Sequence, residues 1–256
     1  MFKRSIVRPP CVNFAGGLTT ADLGPPDLEK ALEQHERYCE ALERCGLELT
    51  RLDPDPDYPD STFVEDAAVL TARCAVITRP GASSRRGETA AVRKALEQFY
   101  ESFYEITAPG TVDGGDVCEA GEHFFIGVSE RTNEEGARQL AGFLSTEGYT
   151  SSFIDVRGID GLLHLKSGLA FLGDGWFVAA EAFVGFREFF DYHLACVEPA
   201  ESYAANCVGI NARVLLAQGY PKIEARLRAL GMNVVTLDMS EFRRMNGGLS
   251  CLSLRF

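Results

Sequence analysis

With 256 residues, 46% hydrophobic and 24% charged, the chain can bury a substantial core and has the composition of a folded globular protein. Its formal charge of −12, with no Lys/Arg-rich run to offset it, repels phosphate backbones and excludes a nucleic-acid partner. No apolar run approaches a membrane span, and MFKRSIVRPP (1–10) lacks the apolar stretch of a signal peptide, so the expectation is a cytoplasmic protein with no membrane partner.

In chain order, MFKRSIVR (1–8) is strand-like and is followed by a helix expected near Leu28–Cys45. FVEDAAVL (63–70), the turn TARC and AVITRP read as two strands, with a helix near Glu88–Tyr100 behind them. GGDVCEA (114–120), the turn GEH and FFIGV repeat that order before a helix near Asn133–Thr146. HLKSGLAFL (164–172), GDG and WFVAA repeat it again, with a shorter region around Phe186–Asp191 in place of the helix. NCVGI (206–210), NAR and VLLA form the fourth copy, with a helix near Pro221–Leu230. SCLSLRF (250–256) ends the chain without a partner strand of its own. β-Branched and aromatic residues in the strands, with Gly, Asn or Asp at the turns, support the hairpins. Ala137, Leu140, Ala141 and Leu144 show the three-to-four spacing of a helix.

Each copy opens on a polar residue: Asp66, Asp116, His164 and Cys207, spaced by 50, 48 and 43, with Cys251 another 44 further on. Such a period marks repeats and propellers, although an ordinary α/β domain with coincidental spacing fits the periodicity as well. If the N-terminal strand and helix complete the fifth unit, the chain closes into a five-membered ring that leaves no strand edge open, one domain over 1–256. The five leaders would then meet at the centre of the ring.

Singly, each candidate also has a plain structural reading. Cys251, in NGGLSC (246–251), reads alone as a small buried hydrophobe, and His164 as a hydrogen-bonded core histidine. Together they are the minimum set for thiolate chemistry. Asp60, Glu65 and Asp66 in PDSTFVEDAAV, and Asp113 and Asp116 in TVDGGDV, suit turns and caps, or the carboxylate partners of a planar guanidinium. Arg85 and Arg86 in RPGASSRRGE, and Arg131, suit a solvated surface or a carboxylate clamp. The eight cysteines show no CxxC pair and no Cys/His spacing, so most are expected to be reduced buried thiols, with no metal site.

Taken in order, GGLTT (16–20), FVED, RPGASSRRGE, TVDGGDV, HLKSGLAFL and NGGLSC resemble the dimethylarginine dimethylaminohydrolase family across nearly the whole chain. That family lies within the guanidino-group-modifying superfamily, beside arginine deiminases and amidinotransferases. The resemblance implies a five-bladed α/β propeller, the pentein fold, around a central active site. It implies Cys251 as nucleophile, His164 as general acid and base, and Asp113 as the acidic residue beside them. It assigns Asp66 to the guanidinium nitrogens, Arg85 and Arg131 to the substrate's α-carboxylate, and Leu18, Asp60, Glu65 and the Met245 carbonyl to further substrate contacts. The implied substrate is a methylated arginine, with no cofactor and no metal, and a homodimer is compatible with the family. One departure is Asn246, where many relatives carry Asp before the glycine pair.

Overall fold

The structure, a computed structural model, describes residues 1–256. Strand β1 (Arg4–Val7) leads to helix α1 (Leu28–Arg44), which starts where the Asp27 carboxylate accepts the Lys30 N–H and which buries Tyr38, Cys39 and Leu42 on one face. Strand β2 (Glu48–Arg51) returns parallel to β1, as a helical crossover permits.

The next four units repeat one order. β3 (Ala68–Leu70) and β4 (Ala75–Ile77) form a hairpin, and α2 (Thr89–Leu96) carries the chain to β5 (Phe103–Glu105), parallel to β4. β6 (Val117–Ala120), β7 (His123–Val128), α3 (Glu134–Thr146) and β8 (Thr150–Asp155) repeat it, with the Asn133 side chain capping α3. In the third unit, β9 (Leu169–Gly173) and β10 (Trp176–Ala180) are joined to β11 (His193–Val197) by 3-10 turns at Glu181–Phe183 and Arg187–Phe189, so the helix is absent where the sequence predicts a shorter region. β12 (Val208–Ile210), β13 (Arg213–Ala217), α4 (Pro221–Ala229) and β14 (Asn233–Leu237) form the fourth. Finally β15 (Leu254–Arg255) pairs antiparallel with β1, and the two termini complete the fifth three-stranded sheet.

Two features differ from the sequence expectation. Each sheet has a third strand that the hairpin pattern does not announce, because these strands are half-exposed; β8 (TSSFID) has no apolar alternation to read. The polar leaders also do not sit in strands. A 3-10 turn precedes every first strand, at Val64–Ala67, Gly114–Asp116, Leu165–Ser167, Pro199–Ala205 and Ser250–Leu252. With three residues per turn, such a segment sends adjacent side chains in different directions, which separates Glu65 from Asp66.

Burial explains the ring. Five apolar clusters lie between neighbouring sheets, so each seam has its own core. Val76 packs with Phe124, Ile126 and Leu140 at one seam, Phe125 with Leu169 and Phe177 at the next, and Val178 with Val214 and Leu216 at the third. Tyr38 and Leu42 meet Leu215 and Phe242, and Ile6 and Leu254 meet Ala75 and Ile77, which closes the circle. All eight cysteines are free thiols, six of them buried. No helix is long and apolar enough to cross a membrane.

Candidate active site

The 3-10 turns converge at one end of the ring axis, where a narrow cleft of about 30 Å³ opens. Leu18, Asp60, Asp66, Arg85, Arg131, His164, Met245 and Cys251 all line it, brought from six regions of the chain.

His164 is positioned by capping: it precedes the turn Leu165–Ser167 and its N–H donates to Ser167 Oγ at 3.2 Å. Its Nε2 lies 3.0 Å from Asp113 Oδ2, while Asp113 Oδ1 accepts the Gly81 N–H at 2.8 Å. Asp113 is fully buried behind the ring, so it orients His164 rather than facing the cleft. Burial alone lowers the His164 pKa, but Asp66, Asp116 and Asp113 outweigh it and raise the imidazole to about 9.

Asp66 accepts the Gly115 N–H at 2.9 Å and Arg85 Nη1 at 2.6 Å. Burial pushes its carboxyl up, but His164 and Arg85 prevail and hold it near 2, so it is a fixed anion. Glycine at 115 is required by close approach: a Cβ there would lie 2.7 Å from His164 Nδ1 and 2.9 Å from Asp66 Oδ1.

Arg85 is not a loose surface cation. It is buried, donates to both Glu88 oxygens and reaches the Asp60 and Phe63 carbonyls. Burial disfavours its charge, yet Asp66 and Glu88 hold its pKa well above the ordinary value. Most of its donors are thereby committed inside the protein, so it acts on the cleft largely by holding Asp66. Burial in turn pushes Glu88 up to about 7. Arg131 is half-buried, and its guanidinium makes no ion pair or hydrogen bond within the protein, which leaves it free for an anion. Asp60 accepts the Leu18 N–H at 3.0 Å and pins that loop over the cleft.

Cys251 stands on the turn Ser250–Leu252, half-buried at the cleft wall. Burial, then Glu65 and Asp66, push its thiol up to about 12.

Glu65 is the expected residue that the structure places elsewhere. Its carboxylate faces a second cavity of about 510 Å³ along the first strands, where it binds Lys166 Nζ at 2.7 Å, Arg255 at 3.1 Å and Ser250 Oγ at 2.8 Å. Its side chain is committed to that network and does not line the Cys251 cleft. The fourth leader also differs: Cys207 packs in the apolar seam, and Asn206, one residue earlier, carries the polar contacts. Sequence reading missed Asn206 and Glu88; the offset of one residue beside Cys207, and Glu88's place in SRRGE, were the available signals.

Asp66, Asp113 and His164 bring three ligand atoms within 4.8 Å of one another. Their bonds to Arg85, Gly115, Gly81 and one another make them an acid–base and cation-binding set rather than an open metal cage.

Known proteins resemble the chain over its full length. The chain is 47% identical over 257 residues to N(G),N(G)-dimethylarginine dimethylaminohydrolase of Pseudomonas aeruginosa, covering 100% of both chains. The chain belongs to the dimethylarginine dimethylaminohydrolase family. A Streptomyces coelicolor member of the family is 37% identical over 99% of this chain and 96% of its own. The solved Pseudomonas aeruginosa structure of a cysteine-to-serine variant complexed with citrulline superposes with a TM-score of 0.97, at 46% identity over 100% of both chains. The N-terminal domain of the cyanobacterial arginine dihydrolase ArgZ shares the fold at 20% identity, with a TM-score of 0.87 over 98% of this chain and 96% of that one. No family model matches the chain. The five three-stranded sheets are those of the pentein propeller shared by these structures.

Proposed function

We propose that this enzyme hydrolyses N(omega)-methylated arginines to citrulline and methylated amine through a covalent intermediate on Cys251. The observation that carries the chemistry is the convergence of Cys251, His164 and the fixed anion Asp66 in one cleft with the uncommitted Arg131. In addition to the family membership, each part has a physical role. Asp66 opposes the guanidinium charge, and Arg131 takes the α-carboxylate at the other end of the substrate. The bound guanidinium's positive charge favours loss of the Cys251 thiol proton to water, and the thiolate then attacks the guanidinium carbon and forms a C–S bond. His164, protonated below about pH 9, gives its proton to the departing methylated nitrogen as the C–N bond breaks. Neutral His164 then takes a proton from water; the resulting hydroxide attacks the thiouronium carbon, the C–S bond breaks, and citrulline leaves.

Citrulline formation from asymmetric dimethylarginine and monomethylarginine, measured beside arginine, tests this reading. Methylated substrates should be strongly preferred. A preference for arginine would make the protein a deiminase, and no turnover of any of the three would leave a binding propeller. Cytoplasmic residence, one catalytic unit over 1–256 and a homodimer complete the proposal; the continuous inter-blade cores support the single unit.

Gly115→Ala probes the packing of the site. Its new Cβ must displace His164 or Asp66, and a misplacement of roughly 1 Å is expected to lower kcat by about 100-fold. A kcat equal to that of the unmodified enzyme would show that the ring is not held as described.

A further inference from the structure

Three hydrogen bonds repeat around the ring. Asp66 Oδ1 accepts the Gly115 N–H, Asp116 Oδ1 the Leu165 N–H, and Asn206 Oδ1 the Ser250 N–H, each at 2.9 Å. The partners lie 49, 49 and 44 residues apart, so a side chain leading into one blade holds the lead-in of the next in each case. The recipient amides sit at the chemistry: Gly115 lies against the His164 ring, Leu165 follows His164, and Ser250 precedes Cys251.

The third link differs in kind, because an amide carries a donor that a carboxylate lacks. Asn206 Nδ2 donates to the Lys166 carbonyl at 2.8 Å and to Ser250 Oγ at 3.1 Å. One buried neutral side chain thus ties the segment that carries His164 to the segment that carries Cys251. Its seat is tight: a Cβ at Gly248 would lie 2.4 Å from Asn206 Oδ1, so that glycine admits the link.

We propose that Asn206 is a positioning residue for the reaction, setting Cys251 against His164 through Ser250 and the Lys166 carbonyl. The proposal rests on the reading that Cys251 and His164 carry the chemistry. Asn206 does not line the Cys251 cleft, and Asp60, Asp66 and Arg131, which face the substrate, make no hydrogen bond to it. Its loss should therefore act on kcat and spare KM. A carboxylate in its place would face the Lys166 carbonyl and add negative charge beside a thiol that Glu65 and Asp66 already oppose.

The test uses full-length Asn206→Ala and Asn206→Asp. Two readouts are needed: steady-state citrulline formation from asymmetric dimethylarginine, and the pH dependence of Cys251 alkylation by iodoacetamide, read by peptide mass spectrometry. Both variants should lose about 100-fold in kcat with KM nearly unchanged, the effect expected of misaligned reacting groups. Alkylation of the Asp variant should shift to higher pH than that of the Ala variant. Retained kcat, KM rising in step with the loss of kcat, or coincident alkylation profiles would overturn the proposal. If Asn206→Ala does not fold, Asn206→Asp, which keeps the acceptor for Ser250, decides against the unmodified protein by the same readouts. An unmodified protein that forms no citrulline sinks the underlying reading instead, while the alkylation profiles still test the positioning.

Discussion

Cys251→Ser is expected to lower kcat by at least about 10⁴-fold, the scale of losing a covalent nucleophile. The substitution removes one polarizable sulfur and leaves every other cleft residue in place. Asp66 keeps its bonds to Arg85 and Gly115, His164 keeps Asp113, and Arg131 stays free, so ligand binding should survive. A serine hydroxyl beside Glu65 and Asp66 ionises even less readily than the thiol, and no neighbouring base is poised to help it, since His164 is already protonated at neutral pH. Turnover and citrulline binding measured on the same preparation check this. Substantial turnover would refute the covalent route; loss of both turnover and binding would indicate a collapsed cleft.

The second large effect concerns the resting charge of that thiol. Burial and two carboxylates push Cys251 up to about 12, whereas His164 is raised to about 9. Both groups therefore hold their protons through the neutral range, and the free enzyme rests as thiol and imidazolium. A guanidinium bound against Asp66 brings a positive charge to the sulfur, and an opposite charge within about 4–6 Å lowers a pKa by about 1–3 pH units. Iodoacetamide should thus alkylate Cys251 slowly in the free enzyme, the rate climbing about tenfold per pH unit with no plateau near neutrality, because the thiolate fraction keeps growing up to the thiol's raised pKa. Thiolate absorbance should appear at lower pH when a non-reacting cationic ligand is bound. A free enzyme whose thiolate titrates near neutrality would overturn this. The same resting state makes His164 the proton donor in the first half of the reaction and frees it as a base only after the amine has left.

The sequence by itself carried the ring, because repetition survives in composition. β-Branched hairpins, turn residues and the recurrent polar leaders mark five units, and the missing partner of SCLSLRF shows where the termini must join. Motif order carried most of the cleft as well: eight of the ten residues named from the sequence line it, and Asp113 stands behind His164. Only the tertiary structure decided what each charge faces. Glu65 and Asp66 are neighbours in the chain, yet a 3-10 turn sends one toward Lys166 and Arg255 and the other to the reaction cleft. Arg85 looked like a cation free for substrate and proved largely committed to Asp66 and Glu88. The fourth leader moved from Cys207 to Asn206 because burial of the thiol in an apolar seam turns its polar neighbour toward Ser250 and Lys166. Periodicity along a chain identifies which residues approach an axis. The direction of each side chain depends on turn geometry and on partners 40 or more residues away, which no local pattern encodes.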